Sequence, residues 1–354
     1  MSNSEQVVMA HGSGGDMMRE LIADFFYEAY GSPELLIGDD SAVLELGLSA
    51  DRLGSESGAP AERLAFTTDS FVVTPRFFPG GDIGRLAVCG TVNDLACSGA
   101  TPLWLSLAFI LEEGLPLAEL SAVCASIATA AAEAGVRIVT GDTKVVPHGT
   151  GDGIYINTAG IGLFSAGARP LSGRDCQPGD KILLSGSLGD HGIAIVCARE
   201  ELGFASDVTS DAAPLNRLVY EVLHAAPATR CFRDPTRGGL ASTINELAAQ
   251  SRTSMTIEEA AVPVHAAVAA VCSMLGYDVF QVANEGKVVA VVPADEADAA
   301  LAAMLANPLG REAAIIGEVG EAMASGLPAA YLRTPLGASR VLDTLVGEQL
   351  PRIC

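Results

Sequence analysis

Apolar residues recur in this chain at two different spacings, and segments of the two kinds alternate along it. Residues 17–30 and 117–134 show helical spacing, whereas residues 35–46 and 136–146 have the pattern of strands. A segment rich in Gly, Pro and charge, residues 166–180, interrupts the alternation, and the second half then repeats the mixture. Helices and strands mixed in each half predict an α/β (α+β layered) fold with two domains.

The length agrees with two domains, because 354 residues are about twice the ~150 residues of a common domain. We expect an N-terminal domain at 1–165, a C-terminal domain at 166–345 and a flexible tail at 346–354. With 49% hydrophobic residues, the chain can bury a large core. A tail of about nine residues could span on the order of 30 Å.

The charge balance restricts the ligands. The chain has 21 Lys and Arg against 43 Asp and Glu, a net charge of −22. Such a charge repels nucleic acid and anionic lipid, so we expect neither as a partner, and a polyanionic ligand would need a divalent cation. The sequence shows no secretion signal, and its eight cysteines form no CxxC pair. These features favour a reduced, cytoplasmic protein.

Carboxylates stand at the ends of apolar segments at four places in the first half. The motifs GDDSA, TTDS, VNDLA and TGDTK contain Asp40, Asp69, Asp94 and Asp142. Each of these residues alone is typical of a turn or a cap. Carboxylates that converge repel one another unless a cation lies between them, and Mg²⁺ prefers oxygen ligands together with phosphate. The set therefore indicates a magnesium site.

Two glycine-rich motifs could bind phosphate through backbone N–H groups. HGSGG (11–15) precedes the first predicted helix, and DPTRGG (234–239) precedes another. A flexible entry to the helix explains the first motif equally well, and a capped tight turn explains the second. The chain contains neither a P-loop nor a strand-linked GxGxxG motif, so an ATP site would use another scaffold.

Two further residues are ambiguous on their own. Glu285, in NEGK, is typical of a solvated turn. Cys354 is the last residue, in PRIC. It is either an accidental exposed thiol or a carrier on a tether that visits a site on this chain or on another protein.

Together these motifs resemble the HypE family of hydrogenase maturation proteins. The matching segments, in order, are HGSGG, GDDSAVL, TTDSFVVTPRFFPGGDIGRLAVCGTVNDLACSGA, GDTKVV, GDHGIAI, RDPTRGGLA, NEGK and PRIC. The family belongs to the superfamily that includes aminoimidazole ribonucleotide synthetase and selenophosphate synthetase. The resemblance implies a two-domain aminoimidazole ribonucleotide synthetase-like fold, with N-terminal domains pairing in a homodimer to build ATP sites, and a flexible C-terminal tail.

The resemblance also implies an activity and its residues. Members of the family receive a carbamoyl group on the terminal Cys from the carbamoyltransferase HypF. They dehydrate it with ATP to a thiocyanate and pass cyanide to iron on a HypC–HypD complex. By resemblance, the catalytic residues are Cys354, Lys144 and Glu285. The residues that bind ATP are Gly12, Gly14, Gly15, Asn93, Thr143, Asp234 and Arg237. The Mg²⁺ ligands are Asp40, Asp69, Asp94 and Asp142.

Two other functions are compatible with part of the pattern. Another enzyme of the superfamily, such as a selenophosphate synthetase or a thiamine monophosphate kinase, would share the carboxylates but would not need PRIC. A non-catalytic scaffold that binds ATP to organise an assembly would not need intact Asp69, Asp94 and Asp142. The sequence leaves open where the tail rests and how Lys144 and Glu285 divide the chemistry.

Overall fold

The N-terminal half is built around one mixed sheet. This computed structural model describes residues 15–27, 34–45, 63–165, 168–199, 207–322, 330–344, 350 and 352–354. The elements of this half are α1 (Asp16–Leu21), which continues as a π-helical turn (Ile22–Tyr27), β1 (Ala42–Glu45), β2 (Arg63–Phe71), β3 (Phe77–Phe78), β4 (Gly81–Asp82), α2 (Ile83–Cys97), β5 (Thr101–Glu112), α3 (Leu117–Ala134), β6 (Arg137–Val146) and β7 (Ile154–Leu163). The described strands follow the order β1-β2-β7-β5-β6, with β5 and β6 parallel and the other pairs antiparallel.

Helix α2 is the centre of the molecule and is buried along almost its whole length. The carboxylate of Asp82 starts the helix by accepting hydrogen bonds from the N–H groups of Gly84, at 2.7 Å, and Arg85, at 3.2 Å. Gly84 lets α3 approach closely, because a Cβ there would lie 2.8 Å from the carbonyl oxygen of Val123. One side of α2 covers the sheet, and another contacts the C-terminal half. Helix α2 therefore joins the two halves.

Helix α3 packs on α2 through one apolar face. Val123, Ile127 and Ala130 are buried there, and Gly135, with φ of 72°, ends the helix in left-handed backbone. By length and composition, α3 is the one helix in the described ranges that could cross a membrane. Its contact with α2 is that of a helix in a folded domain.

The two faces of the sheet differ. In β2 and β7, buried and accessible side chains alternate, so one face packs on α2. The outer face exposes large apolar side chains, including Phe66 (41% exposed) and Ile110 (45%). The edge strand β6 is accessible along nearly its full length and adds Val139 and Val145. An exposed apolar surface of this kind is typical of a protein–protein interface.

The C-terminal half contains a larger sheet. Its elements are β8 (Lys181–Leu184), α4 (Asp190–Ala198), α5 (Asn216–Ala225), β9 (Cys231–Arg233), α6 (Gly239–Ser251), β10 (Thr253–Glu258), α7 (Ala266–Leu275), β11 (Val289–Val292), α8 (Ala297–Ala306), β12 (Ala314–Ala322), β13 (Ala330–Arg333) and β14 (Ser339–Val341). The described strands follow the order β14-β13-β10-β12-β8-β11-β9, and of their pairs β10–β13 is parallel. Strand β11 is fully buried, because α6 covers one face while α5 and α8 cover the other.

The α/β (α+β layered) fold class is confirmed by these two layered halves. The strand predicted at 136–146 is present as β6. The strand predicted at 35–46 is wrong in its first part, where a 3₁₀ turn (Leu35–Ile37) ends at Gly38 with φ of 75°, and the extended part is β1. The predicted boundary between residues 165 and 166 falls in the connection from β7 to β8, and it stays a prediction.

Candidate active site

An acidic cavity of about 220 Å³ lies between the two halves of the molecule. Its charged lining consists of Arg19, Asp40, Asp69, Asp94, Arg233, Asp234, Arg237 and Glu246. Three of the four predicted metal ligands are in this set, together with the predicted ATP-binding residues Asp234 and Arg237. The fold thus gathers side chains that are far apart in the sequence.

Each half holds its carboxylates through specific contacts. Asp69 lies near the end of β2, which pairs with β7. Asp94 lies on α2, and its Oδ2 accepts a hydrogen bond of 2.8 Å from Thr67 Oγ1 on β2. Asp40 follows the 3₁₀ turn, and its Oδ1 lies 2.8 Å from Nε of Arg233. This ion pair connects the N-terminal half to the end of β9.

Burial and mutual repulsion make these carboxylates hard to ionise. Burial raises the pKa values of Asp40 and Asp94 well above the usual range, and neighbouring carboxylates raise them further. Burial also raises the pKa of Asp234 to about 6, although Arg233 opposes this. A divalent cation would relieve the repulsion, and clustered carboxylate oxygens are the donors that Mg²⁺ prefers. The residues of the cavity therefore fit a divalent cation such as Mg²⁺.

The last residues of the chain dock on the N-terminal half like an added strand. The N–H groups of Val72 and Thr74 donate hydrogen bonds to a backbone carboxylate oxygen of Cys354, at 3.1 Å, and to the carbonyl oxygen of Arg352, at 3.0 Å. The side chain of Ile353, 7% exposed, belongs to the main apolar core. The structure thus places residues 350 and 352–354 of the expected flexible tail against the rest of the chain, and the movement of the tail stays a prediction.

The Cys354 thiol lies in a charged environment. Burial raises the pKa of this thiol, while the guanidinium of Arg237 acts in the opposite direction. The nearness of Cys354 is in turn the main cause that raises the pKa of Arg237. Because Arg237 also lines the acidic cavity, it connects the tail thiol to that cavity. A group attached to the sulfur would lie beside a fixed cation.

Glu285 is a buried acid close to the same thiol. Its side chain is buried, and its Oε1 has no hydrogen-bond partner among the residues that the structure describes. Burial raises the pKa of Glu285 well above its usual range, and Asp234 and Asp69 raise it further. A buried carboxyl with one unpartnered oxygen beside a reactive group is a candidate for general acid–base catalysis. The interpretation of Glu285 as a solvated turn residue is therefore wrong.

Backbone contacts hold the Glu285 segment in place. The N–H of Glu285 donates to Oδ1 of Asp211 at 3.0 Å, and Nζ of Lys287 lies 3.0 Å from Oδ2 of Asp211. A Cβ at Gly286 would lie 1.8 Å from the carbonyl oxygen of Asp211, so the segment packs closely only with glycine. Asn93 of α2 donates to the carbonyl oxygen of Glu285 at 3.4 Å. The assignment of Asn93 to ATP binding stays a prediction.

Asp142, Thr143 and Lys144 lie on the exposed edge strand β6. Asp142 and Lys144 form an ion pair with each other, and their side chains are 66% and 68% exposed. Both line a second cavity of about 630 Å³ on the outer face of the sheet, which Arg352 of the tail also lines. Within one chain Asp142 therefore does not converge with the other three carboxylates, contrary to our expectation. The roles of Asp142, Thr143 and Lys144 stay predictions.

Of the glycine-rich motif HGSGG (11–15), the structure describes Gly15. Gly12 and Gly14 lie outside the described residues. Gly15 is buried and directly precedes α1. Its carbonyl oxygen accepts the N–H of Arg19, whose side chain reaches the acidic cavity. The assignment of these glycines to ATP stays a prediction.

Sequence reasoning missed several residues that shape the site. Arg233 could have been found, because it directly precedes Asp234 in the motif RDPTRGG. Asp211 gives no signal, since it lies in a connection without a motif. Cys97 was also missed, and its sulfur lies within 4.8 Å of carboxylate oxygens of Asp40 and Asp234.

Comparisons with known proteins decide the family. The family model of the N-terminal domain of AIR synthase related proteins matches residues 38–164, and the model of the C-terminal domain matches residues 177–327. The carbamoyl dehydratase HypE of Azotobacter vinelandii is 51% identical over 98% of this chain and 97% of that protein. The chain belongs to the HypE family of carbamoyl dehydratases.

Two solved HypE structures are similar to this fold. A hydrogenase maturation protein HypE in complex with ATP is 47% identical, with a TM-score of 0.78 over 99% of this chain and 100% of that one. HypE in a HypE–HypF complex is 44% identical, with a TM-score of 0.83 over 92% of this chain and 99% of that one. The expectations of an aminoimidazole ribonucleotide synthetase-like fold and of a carbamoyl dehydratase in hydrogenase maturation are confirmed. The roles of single residues stay predictions.

Proposed function

We propose that this chain uses ATP to dehydrate a carbamoyl group on Cys354 to a thiocyanate, which supplies the cyanide ligand for the iron of nickel–iron hydrogenase. The docked tail carries the proposal, because it holds the Cys354 thiol near Arg237 and the buried Glu285, beside a carboxylate-lined cavity. A kinase of the same superfamily would not need a protein thiol at this place. The solved complex of a HypE relative with ATP supports nucleotide binding.

The dehydration needs ATP because an amide oxygen is a poor leaving group. Asp40, Asp69 and Asp94 would hold Mg²⁺, and ATP bound with it would supply the phosphoryl group that the carbamoyl oxygen takes up. Arg237, fixed beside the sulfur, orients the carbamoyl group and offsets the negative charge that develops on its oxygen. The C–O bond then breaks with release of phosphate. During these steps the carbamoyl nitrogen loses both of its protons, so that S–C≡N remains.

Glu285 is the residue that we assign to accept a nitrogen proton. Because burial raises its pKa, its carboxylate is a stronger base than that of an exposed glutamate. The charges of Asp234 and Asp69 cause part of this increase in the pKa of Glu285. That part disappears when a bound cation neutralises the two carboxylates. Occupation of the acidic cavity therefore favours the basic form of Glu285 at the moment when a base is needed.

The docked tail excludes water from the activated carbamoyl group and can still be released. Leu350 and Ile353 are buried, and burying two such side chains stabilises docking by ~3–6 kcal/mol. Fixing the backbone of about five tail residues costs ~5–10 kcal/mol. The hydrogen bonds of the tail contribute about 1 kcal/mol each. These opposing contributions are similar in size, so docking is reversible.

Reversible docking suits a carrier that visits other proteins. A HypE relative has been solved in a complex with HypF. We propose that a carbamoyltransferase of that type loads Cys354 when the tail is released, and that a HypC–HypD complex receives the cyanide. The net charge of −22 makes nucleic acid and anionic membranes poor partners and suits a cytoplasmic protein.

Two copies of the chain pair through their N-terminal halves in this proposal. The outer face of the sheet exposes Phe66 and Ile110, and the second cavity with Asp142 and Lys144 opens on the same face. A second copy would cover these apolar side chains in a symmetric arrangement. Pairing also accounts for the position of Lys144, which would complete the site of the other copy.

Mixed dimers test this pairing. Asp69→Asn and Lys144→Ala should each be inactive. If Lys144 acts across the pair, a mixed dimer has one intact site, which combines Asp69 from the Lys144→Ala chain with Lys144 from the Asp69→Asn chain. After random reassociation, the activity should recover to about one quarter of the wild-type value. Mixing Asp69→Asn with Glu285→Gln is the control, because both residues belong to one chain's site and no recovery is expected. If Lys144 acts within its own chain, the first mixture also stays inactive.

Mass spectrometry tests the proposed function. After incubation with the carbamoyltransferase, carbamoyl phosphate and ATP, Cys354 should carry a carbamoyl group that then loses one water. Cys354→Ala should show neither change, whereas Cys124→Ala removes an exposed thiol and should behave like the wild type. An adduct on another residue, or full product formation by Cys354→Ala, would contradict the proposal.

A further inference from the structure

The side chain of His191 forms a hydrogen bond with the backbone of the docked tail. It lies near the start of α4 and is fully buried, with its ring edge-on to Phe78 at 5.6 Å between ring centroids. Its Nε2 lies 2.6 Å from the carbonyl oxygen of Ile353, the residue before Cys354. Because a carbonyl oxygen can only accept, Nε2 carries the hydrogen and donates it.

The other ring nitrogen fixes this orientation. Nδ1 of His191 lies 2.8 Å from Oγ of Ser210, and the same Oγ accepts the N–H of Ala212 at 3.2 Å. With its hydrogen on Nε2, the neutral ring accepts the Ser210 hydroxyl hydrogen at Nδ1, so each polar atom of this pair has a partner. Burial lowers the pKa of His191, which favours the neutral ring.

Ser210 also belongs to the segment that positions Glu285. Its N–H donates to the carbonyl oxygen of Pro79 at 2.7 Å, which anchors the segment to the N-terminal half. The next residue, Asp211, accepts the N–H of Glu285 at 3.0 Å. The support of the tail carbonyl and the support of Glu285 are therefore adjacent on one short stretch of backbone.

We propose that His191 and Ser210 form a tail latch, in which His191 is a positioning residue. The latch holds the carbonyl of Ile353 so that Cys354 is presented to Glu285, and it limits how often the tail is released. Release would break the hydrogen bond from Nε2–H of His191 to the carbonyl oxygen of Ile353, which disfavours the open state. The catalytic consequence rests on the proposed function, whereas the effect on tail release does not.

Two substitutions of His191 separate the roles of its nitrogens. His191→Gln keeps an N–H donor near the position of Nε2, whereas the shorter His191→Asn reaches only to the position of Nδ1. The readout is the rate at which iodoacetamide alkylates Cys354 in the full-length protein, followed by peptide mass. We expect His191→Asn to raise this rate about tenfold, the effect of losing one hydrogen bond, and His191→Gln to stay within about threefold of the wild type.

Other thiols of the chain serve as internal controls. Cys89 is buried in the core and Cys124 is exposed. The latch predicts a change at Cys354 alone. If His191→Asn does not fold, Ser210→Ala provides the second test, and we expect it to raise the alkylation of Cys354 about threefold. An unchanged rate at Cys354 in a folded variant, or a parallel rise at Cys89, would overturn the proposal.

A kinetic measurement distinguishes the latch from the proposed function. In His191→Asn, carbamoyl loading should be unchanged or faster, because loading needs a released tail. Single-turnover dehydration of the loaded protein should be about tenfold slower, and His191→Gln should restore it. Equal slowing of both steps would contradict the latch. A wild-type protein that never acquires the carbamoyl group would refute the proposed function and leave the alkylation result standing.

Discussion

Asp234 tests the electrostatics of the acidic cavity. Asp234→Asn keeps the shape of a side chain that lies among four other carboxylates. Burial raises the pKa of Asp234 from 3.8 to about 6. Because one pH unit between the folded and unfolded pKa is worth about 1.36 kcal/mol, ionised Asp234 destabilises the folded protein by ~3 kcal/mol at neutral pH. The carboxamide avoids this cost, so the variant should be more stable than the wild type without Mg²⁺.

The gain in stability should depend on pH in one direction. A carboxyl group with a raised folded-state pKa makes the folded protein bind more protons than the unfolded chain between the two pKa values. The free energy of unfolding of the wild type therefore falls as the pH rises through this range, and the variant lacks this contribution. The difference between the two proteins should grow from less than ~1 kcal/mol near pH 4 to ~3 kcal/mol near pH 7.

Urea unfolding, followed by circular dichroism and by the fluorescence of Trp104, measures this difference. Addition of Mg²⁺ and ATP should stabilise the wild type more than Asp234→Asn, because a cation bound at the neighbouring carboxylates offsets the charge of ionised Asp234, which the variant lacks. A variant that is less stable than the wild type at neutral pH, or a difference that is the same at both pH values, would refute the reasoning.

Three further predictions concern other parts of the molecule. Glu285→Gln should fold normally and accept the carbamoyl group but dehydrate it ~10²–10⁴-fold more slowly, as seen by accumulation of the carbamoyl adduct; normal turnover would exclude this base. Hydrogen bonding to Asp190 raises the pKa of the half-exposed His265, so His265→Gln should lose less than ~1 kcal/mol of stability below about pH 6. This loss should vanish as the pH rises through the folded-state pKa, and a loss independent of pH in urea titrations would count against it. Gly286→Ala should lower the melting temperature, because overpacking costs ~1–3 kcal/mol, while Gly151→Ala, where a Cβ would meet nothing closer than 3.5 Å, should not; equal melting temperatures would contradict this.

Convergence of the carboxylates could be predicted from the sequence. Asp40, Asp69 and Asp94 stand at the ends of apolar segments, and such ends meet when strands and helices form layers. Asp234 followed from the resemblance, and all four line one cavity. Short motifs at element ends are informative because their position depends on local structure, which local sequence largely determines.

The surroundings of Glu285 and the position of the tail could not be predicted in this way. Glu285 is buried, and its N–H donates to Asp211, far away in the sequence; no local pattern shows such a contact. His191 looks like an ordinary helix start, yet it is fully buried against Ile353. Lys144 has a recognisable motif, but its strand is the accessible edge of the sheet, and its side chain lines the second cavity and not the acidic one.

The central claim is that the oxygen of a carbamoyl group on Cys354 leaves on phosphate from ATP. Protein loaded with a carbamoyl group labelled with oxygen-18, and then freed of the transferase, can be mixed with ATP for one turnover. The account predicts that the label appears in inorganic phosphate while the thiocyanate forms on Cys354. Label found in water instead, or thiocyanate formed without ATP, would contradict it.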